Sequence, residues 1–128
     1  MMADQSDKVA VVTGSNTGIG YYMARALASK GASVIMACRD PTKGDDARDR
    51  VLEEFPDSEV SVSVLDLADL SSIEEFADGF PSEGGLDILI NNAGVMIPPK
   101  SRTKDGFELQ FGTNHLGHFA LTLSLIHI

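Results

Sequence analysis

The chain alternates between two hydrophobic periods. Residues 8–14, KVAVVTG, form a short Val-rich run closed by glycine, which predicts a strand buried on both faces. Residues 19–30 switch to helix formers (Ala, Met, Arg and Leu), and Gly31 stands where a helix C-cap belongs. Residues 32–38, ASVIMAC, predict a second buried strand. Residues 41–55 predict a charged helix, with Pro41 in its first turn and Pro56 just past its end. Residues 59–67, EVSVSVLDL, predict a third strand, and the alternation of Val60, Val62 and Val64 leaves one face less buried. A short acidic helix over 70–80 leads to a fourth strand over 86–94, LDILINNAG. A polar loop with Pro98 and Pro99 then reaches a last helix that begins near Asp105. Within it, residues 117–125 are apolar, and no Gly, Pro or charge marks the end.

Strands that alternate with helices imply parallel strands joined by crossovers. Right-handed crossovers give an open, doubly wound α/β sheet, whose ligand lies outside the carboxyl ends of the strands. The Gly and Asn clusters of this chain fall at those ends.

Composition narrows the picture. With 43% hydrophobic and 23% charged residues over 128 positions, the chain reads as a globular domain. A net charge of −9 argues against nucleic acid or an anionic membrane as a partner. Cys38 is the one cysteine, so no internal disulfide exists and a reducing, cytoplasmic setting is expected. The polar, acidic start resembles no signal peptide, and no apolar run reaches the length of a membrane span.

The loop TGSNTGIG, residues 13–20, joins the first strand to the first helix. Gly14, Gly18 and Gly20 allow a tight turn and close approach of a ligand to the backbone. With Ser15, Asn16, Thr17 and Ile19 between them, the first-turn amides and the helix dipole favour a pyrophosphate. In this strand–loop–helix context the glycine pattern predicts dinucleotide binding. His115 and His118 stand three apart on the last helix. No second ligand pair accompanies them, so they are read as packing or surface polarity, and no metal site is expected.

Three motifs together, TGSNTGIG, NNAG (91–94) and TNHLGHF (113–119), make the chain resemble the short-chain dehydrogenase/reductase family. The stretch NNAGVMIPPKSRTKDGFELQFGTNHLGHFALT resembles its retinol dehydrogenase-like branch. The resemblance implies a Rossmann-type doubly wound parallel sheet, here cut after the fourth strand and part of the family's fifth helix. It also implies hydride transfer between a nicotinamide cofactor and a small-molecule carbonyl or alcohol. Arg39 then occupies the position that discriminates NADP from NAD, with Asp40 opening the next loop. An Arg there pairs with a 2′-phosphate, whereas an acid accepts from a 2′-hydroxyl. The resemblance favours NADP over NAD. Asp66, with Leu67 beside it, matches the position that bonds the adenine amino group, although a strand-end turn Asp is the plainer reading. Asn91, Ala93 and Gly94 match the turn whose backbone lies beside the cofactor.

Family chemistry uses a Tyr, a Lys four residues later, a Ser, and a helix Asn that anchors a water. An unperturbed Tyr titrates near about 10 and needs a nearby cation to act at neutral pH. Asn114 matches the helix Asn. The tyrosines are Tyr21 and Tyr22, followed at four residues by Arg25 and Ala26, so there is no Tyr-x-x-x-Lys. The expectation is a cofactor-binding part, residues 1–122, that is inactive by itself and whose full-length parent is homo-oligomeric. Residues 123–128, LSLIHI, resemble one reading frame of a transposon-based sequencing adaptor and are expected to be a non-native tail. Two alternatives stay open: a non-catalytic dinucleotide-binding or sensing protein of the same fold, and a pigment reductase of the same superfamily, which VIMACRD also fits.

Overall fold

The computed structural model describes residues 2–81 and 84–126. Its strands are β1 (Val9–Thr13), β2 (Ser33–Cys38), β3 (Val60–Val64) and β4 (Ile88–Ile90). All pair in parallel, in the order β3-β2-β1-β4. The helices are α1 (Gly18–Ser29), α2 (Pro41–Glu54), α3 (Leu70–Asp78), the short α4 (Leu109–Phe111), and α5 (His118–Leu125). A π-helical segment, Gly112–Gly117, joins α4 to α5. The expected Rossmann-type sheet is therefore present.

Side-chain alternation on the strands sorts the core into two layers. Ala10, Val12, Val34, Met36 and Cys38 face α1 and α2, meeting Tyr21, Ala24, Leu27, Ala47 and Val51. Val11 and Ala37 point the other way, against Ile73 and Phe76 of α3 and Leu121 and Leu125 of α5. Central strand residues such as Val11, Val12 and Met36 are fully buried, as double-sided burial requires. Leu125 is buried too, so packing extends into residues 123–126 of the expected tail. Residues 127–128 of that segment lie outside the described residues.

Three element boundaries differ by more than two residues from the sequence expectation, and the first is the end of β3, which pairs over Val60–Val64 rather than reaching Leu67. The fourth strand pairs over three residues only, Ile88–Ile90, rather than over 86–94. The Asn92 side chain donates instead to the carbonyls of Thr13 and Gly14, both at 3.2 Å, and draws the chain into a turn. The last helix begins at Leu109 rather than near Asp105. Glu108 caps it, accepting from Gln110 N and Phe111 N at 2.9 Å each, while the Asp105 carboxylate accepts from Leu70 N.

Candidate functional site

A crevice of about 350 Å³ opens at the carboxyl ends of the strands. This is where a parallel sheet leaves room between loops that diverge to its two faces. One wall is the turn after β1, where Gly14 adopts φ +62°. A Cβ on Gly14 would lie 2.7 Å from the Ala93 Cα, so the turn can approach the Asn92–Gly94 loop this closely only with glycine at that position. A Cβ on Gly20 would collide with the Gly14 carbonyl and the Asn92 amide. The loop is thus closed from inside by glycine, and its outer side, at Asn16 and Thr17, faces the crevice at the N-terminus of α1.

Of the residues singled out from sequence, Gly14, Asn16, Thr17, Arg39, Asp66 and Leu67 line this crevice, as do Ala93 and Gly94. Others lie apart from it. Ser15 is fully buried, its hydroxyl 3.6 Å from the Cys38 sulfur. Burial raises the Cys38 thiol above its ordinary value, so that sulfur stays protonated beneath the loop. Gly18, Ile19 and Gly20 form the first turn of α1, with Ile19 pointing to solvent. Asn91 donates to the Thr122 hydroxyl at 3.2 Å, tying β4 to α5.

The neighbours Arg39 and Asp40 have different surroundings. Asp40 is the N-cap of α2, accepting from Thr42 N at 2.9 Å and Lys43 N at 3.3 Å. Its carboxylate is engaged by the helix end, whereas Arg39 lines the crevice and makes no ion pair among the described residues. Asp66 combines both readings made of it. Its Oδ1 accepts from Ala68 N at 2.9 Å in a local turn, and the residue also lines the crevice. Asn114 does not line it. Its amide pairs with the Val95 backbone in both directions, Nδ2 donating to the carbonyl at 2.7 Å and Oδ1 accepting from N–H at 2.8 Å. This pairing clamps the loop that follows the Asn turn.

Sequence reasoning did not single out Thr13 or Thr113 as site residues. Thr13 closes β1 at the crevice floor, and its Oγ1 accepts from Asn92 N at 2.9 Å and Ala93 N at 3.0 Å. The TG that ends the first strand was its only signal. Thr113 lines the crevice from the π-helical segment, and its Oγ1 is buried with no hydrogen-bond partner among the described residues. Nothing in the sequence marks that atom. A glycine-walled space, a helix start with no side-chain cap bond, an Arg without an ion pair among the described residues and an orphaned hydroxyl suit an anionic dinucleotide with a polar base. No group of acidic, His and Cys side chains among the described residues is arranged to hold a metal ion.

The profile of a known family, "short chain dehydrogenase", matches residues 8–128. The chain belongs to the short-chain dehydrogenase family. This short-chain dehydrogenase is 55% identical to human retinol dehydrogenase 12 over 120 residues, which make up 93% of this chain and 38% of that protein. It is 51% identical over 120 residues to human retinol dehydrogenase 13, of which it covers 36%. The chain therefore spans well under half the length of these retinol dehydrogenase relatives. Among solved structures it superposes with a TM-score of 0.89 on a putative uncharacterised protein from Mycobacterium paratuberculosis, at 49% identity, covering 98% of this chain and 44% of that one. A metagenomic short-chain oxidoreductase in complex with NADP gives a TM-score of 0.80 at 30% identity, covering 94% and 55%.

Proposed function

We propose that this chain is the cofactor-binding part of an NADP-dependent oxidoreductase that moves a hydride between nicotinamide and a carbonyl or alcohol, with a retinoid-like substrate. The observation that carries the cofactor choice is the division of labour between Arg39, which faces the crevice, and Asp40, which is spent on capping α2. The NADP in a related complex and the retinol dehydrogenase relatives support the same reading. When bound, the nicotinamide supplies the hydride, and the protein supplies position and electrostatics. Here Gly14, Asn16 and Thr17 would hold the pyrophosphate, Arg39 the 2′-phosphate, Asp66 and Leu67 the adenine, and the Ala93–Gly94 backbone the nicotinamide side.

The 128 residues contain no Tyr-x-x-x-Lys. Loss of acid–base assistance alone costs roughly 10²–10⁴-fold in rate. The chain by itself is therefore expected to bind without turnover. Calorimetric titration should show NADPH binding more tightly than NADH, and no NADPH oxidation with retinal or other aldehydes. Equal affinity for both cofactors would remove the NADP assignment, and turnover by the monomer would overturn the expectation that this part is inactive by itself.

A further inference from the structure

The sequence reads His118 as packing or surface polarity, but its ring is buried with polar partners on both sides. It is 7% exposed, on the first turn of α5. Nδ1 lies 3.0 Å from the Asn114 carbonyl, and Nε2 lies 2.9 Å from Thr13 Oγ1. A carbonyl only accepts, so Nδ1 carries the proton and donates to it. Nε2 is then the bare nitrogen, and the Thr13 hydroxyl donates to it. The alternative acceptor for that hydroxyl, the Ile90 carbonyl, stands farther off at 3.4 Å.

This assignment fixes the other side of the hydroxyl. Thr13 has one proton and two lone pairs. The proton goes to His118, so both lone pairs are free for the Asn92 and Ala93 amides that converge on the same oxygen. We propose that His118 is a positioning residue of the cofactor crevice: by taking the Thr13 proton, it aims that hydroxyl's lone pairs at the Asn92–Ala93 turn and so sets the wall on the nicotinamide side. Through Nδ1 the same ring holds the Asn114 carbonyl, and the Asn114 side chain clamps Val95. One buried imidazole thus joins the end of β1, the turn after β4 and the π-helical segment. Strand alternation places it there. Thr13 shares its face with Val9 and Val11, the face that packs against α5.

The inference rests on the cofactor reading above, and its test separates the two. Three variants of the chain are compared: His118→Gln, His118→Asn and His118→Phe. The Gln carbonyl reaches the place of Nε2 and still accepts from Thr13. Asn keeps a donor for the Asn114 carbonyl but leaves Thr13 without its acceptor. Phe fills the space with neither. The first readout is hydrogen exchange at the Asn92 and Ala93 amides, against the Gly14 amide, which bonds Ala37 O. One lost hydrogen bond corresponds to about a tenfold change. His118→Asn and His118→Phe should exchange about tenfold faster at Asn92 and Ala93, with Gly14 unchanged and His118→Gln close to wild type. The second readout is affinity for NADPH against adenosine 2′,5′-bisphosphate, which lacks the nicotinamide half. The Asn variant should lose about tenfold for NADPH and little for the bisphosphate. If Phe fails to fold, the Asn–Gln contrast still decides. Equal exchange in Asn and Gln, or parallel loss of both ligands, would overturn the positioning role. A wild-type chain that binds neither ligand would overturn the cofactor reading itself.

Discussion

Arg39 and Asp40 are adjacent, and either side chain could have read the cofactor ribose. The helix cap separates them. An N-cap carboxylate satisfies amides that would otherwise go unpaired, an arrangement worth about 1 kcal/mol. Asp40 therefore stays with α2. Arg39→Ala should weaken NADPH binding about ten- to a hundredfold, the loss of one charged hydrogen bond to phosphate, and leave NADH nearly unchanged. Equal losses for the two would return attention to Asp40. His118 gives a prediction of a different kind. Burial lowers its pKa below the ordinary 6.5, and the bond to the Asn114 carbonyl opposes this only in part. Below pH 6.5 the unfolded chain takes up a proton that the folded one refuses, so stability falls as pH drops from 6.5 toward the lower folded value and is flat above it. Melting temperatures at pH 7.5 and 5.5 should therefore differ more for wild type than for His118→Gln. Asp69 and Glu108 have pKa values below the ordinary carboxylate range, Asp69 mainly through the Ser71 hydroxyl and Glu108 through the Phe111 and Gln110 amides. Their effects begin only at more acid pH, outside this window.

At the scale of elements, the turn between β1 and α1 is where sequence and structure agree most closely. Gly14→Val sets a β-branched residue at φ +62° against Ala93, and Gly20→Val drives a side chain into the Gly14 carbonyl and Asn92. Either variant should abolish dinucleotide binding, measured by titration on whatever folded fraction circular dichroism reports. Intact affinity in a folded variant would mean that the loop only turns the chain. The Val-rich runs made β1 and β2 legible because a strand covered on both faces must be apolar throughout. The same rule overextended β4. The apolar run stops at Ile90, and the ladder ends there because Asn92 turns to Thr13 and Gly14, a contact across 78 residues that no local pattern carries. The π-helical segment was also illegible. One widened turn shifts the apolar spacing by a single residue, too little to stand out over six positions of sequence. Arg39, Asp66 and the glycines were readable from motif and strand-end position. Thr113 and the role of His118 were not, because both depend on what stands opposite them in space.

At the scale of the whole molecule, β4 pairs with β1 and with no other strand among the described residues. Beside it, Leu86, Leu89, Leu125 and Ile126 line a shallow groove together with Asp87 and Thr122, and Ile126 is exposed. An open strand edge next to exposed apolar surface promotes self-association. Light scattering should rise with protein concentration, and Ile126→Lys should suppress it. Ile126 is 61% exposed, so this change should leave the melting temperature nearly unmoved. Suppression absent from the Lys variant would place the contact elsewhere. The sheet order also has a consequence for how the chain is made. β1 lies inside the sheet yet leaves the ribosome before the other three strands. Its partner β2 follows within about 25 residues, but Ile90 pairs with Val12 across 78 positions. At about 5–20 residues per second, one flank of the most buried strand waits roughly 4–16 s for its neighbour. During that interval a cell must shield Val9–Thr13 from other nascent chains, so yield should depend on translation speed and chaperone supply even where the finished fold is stable.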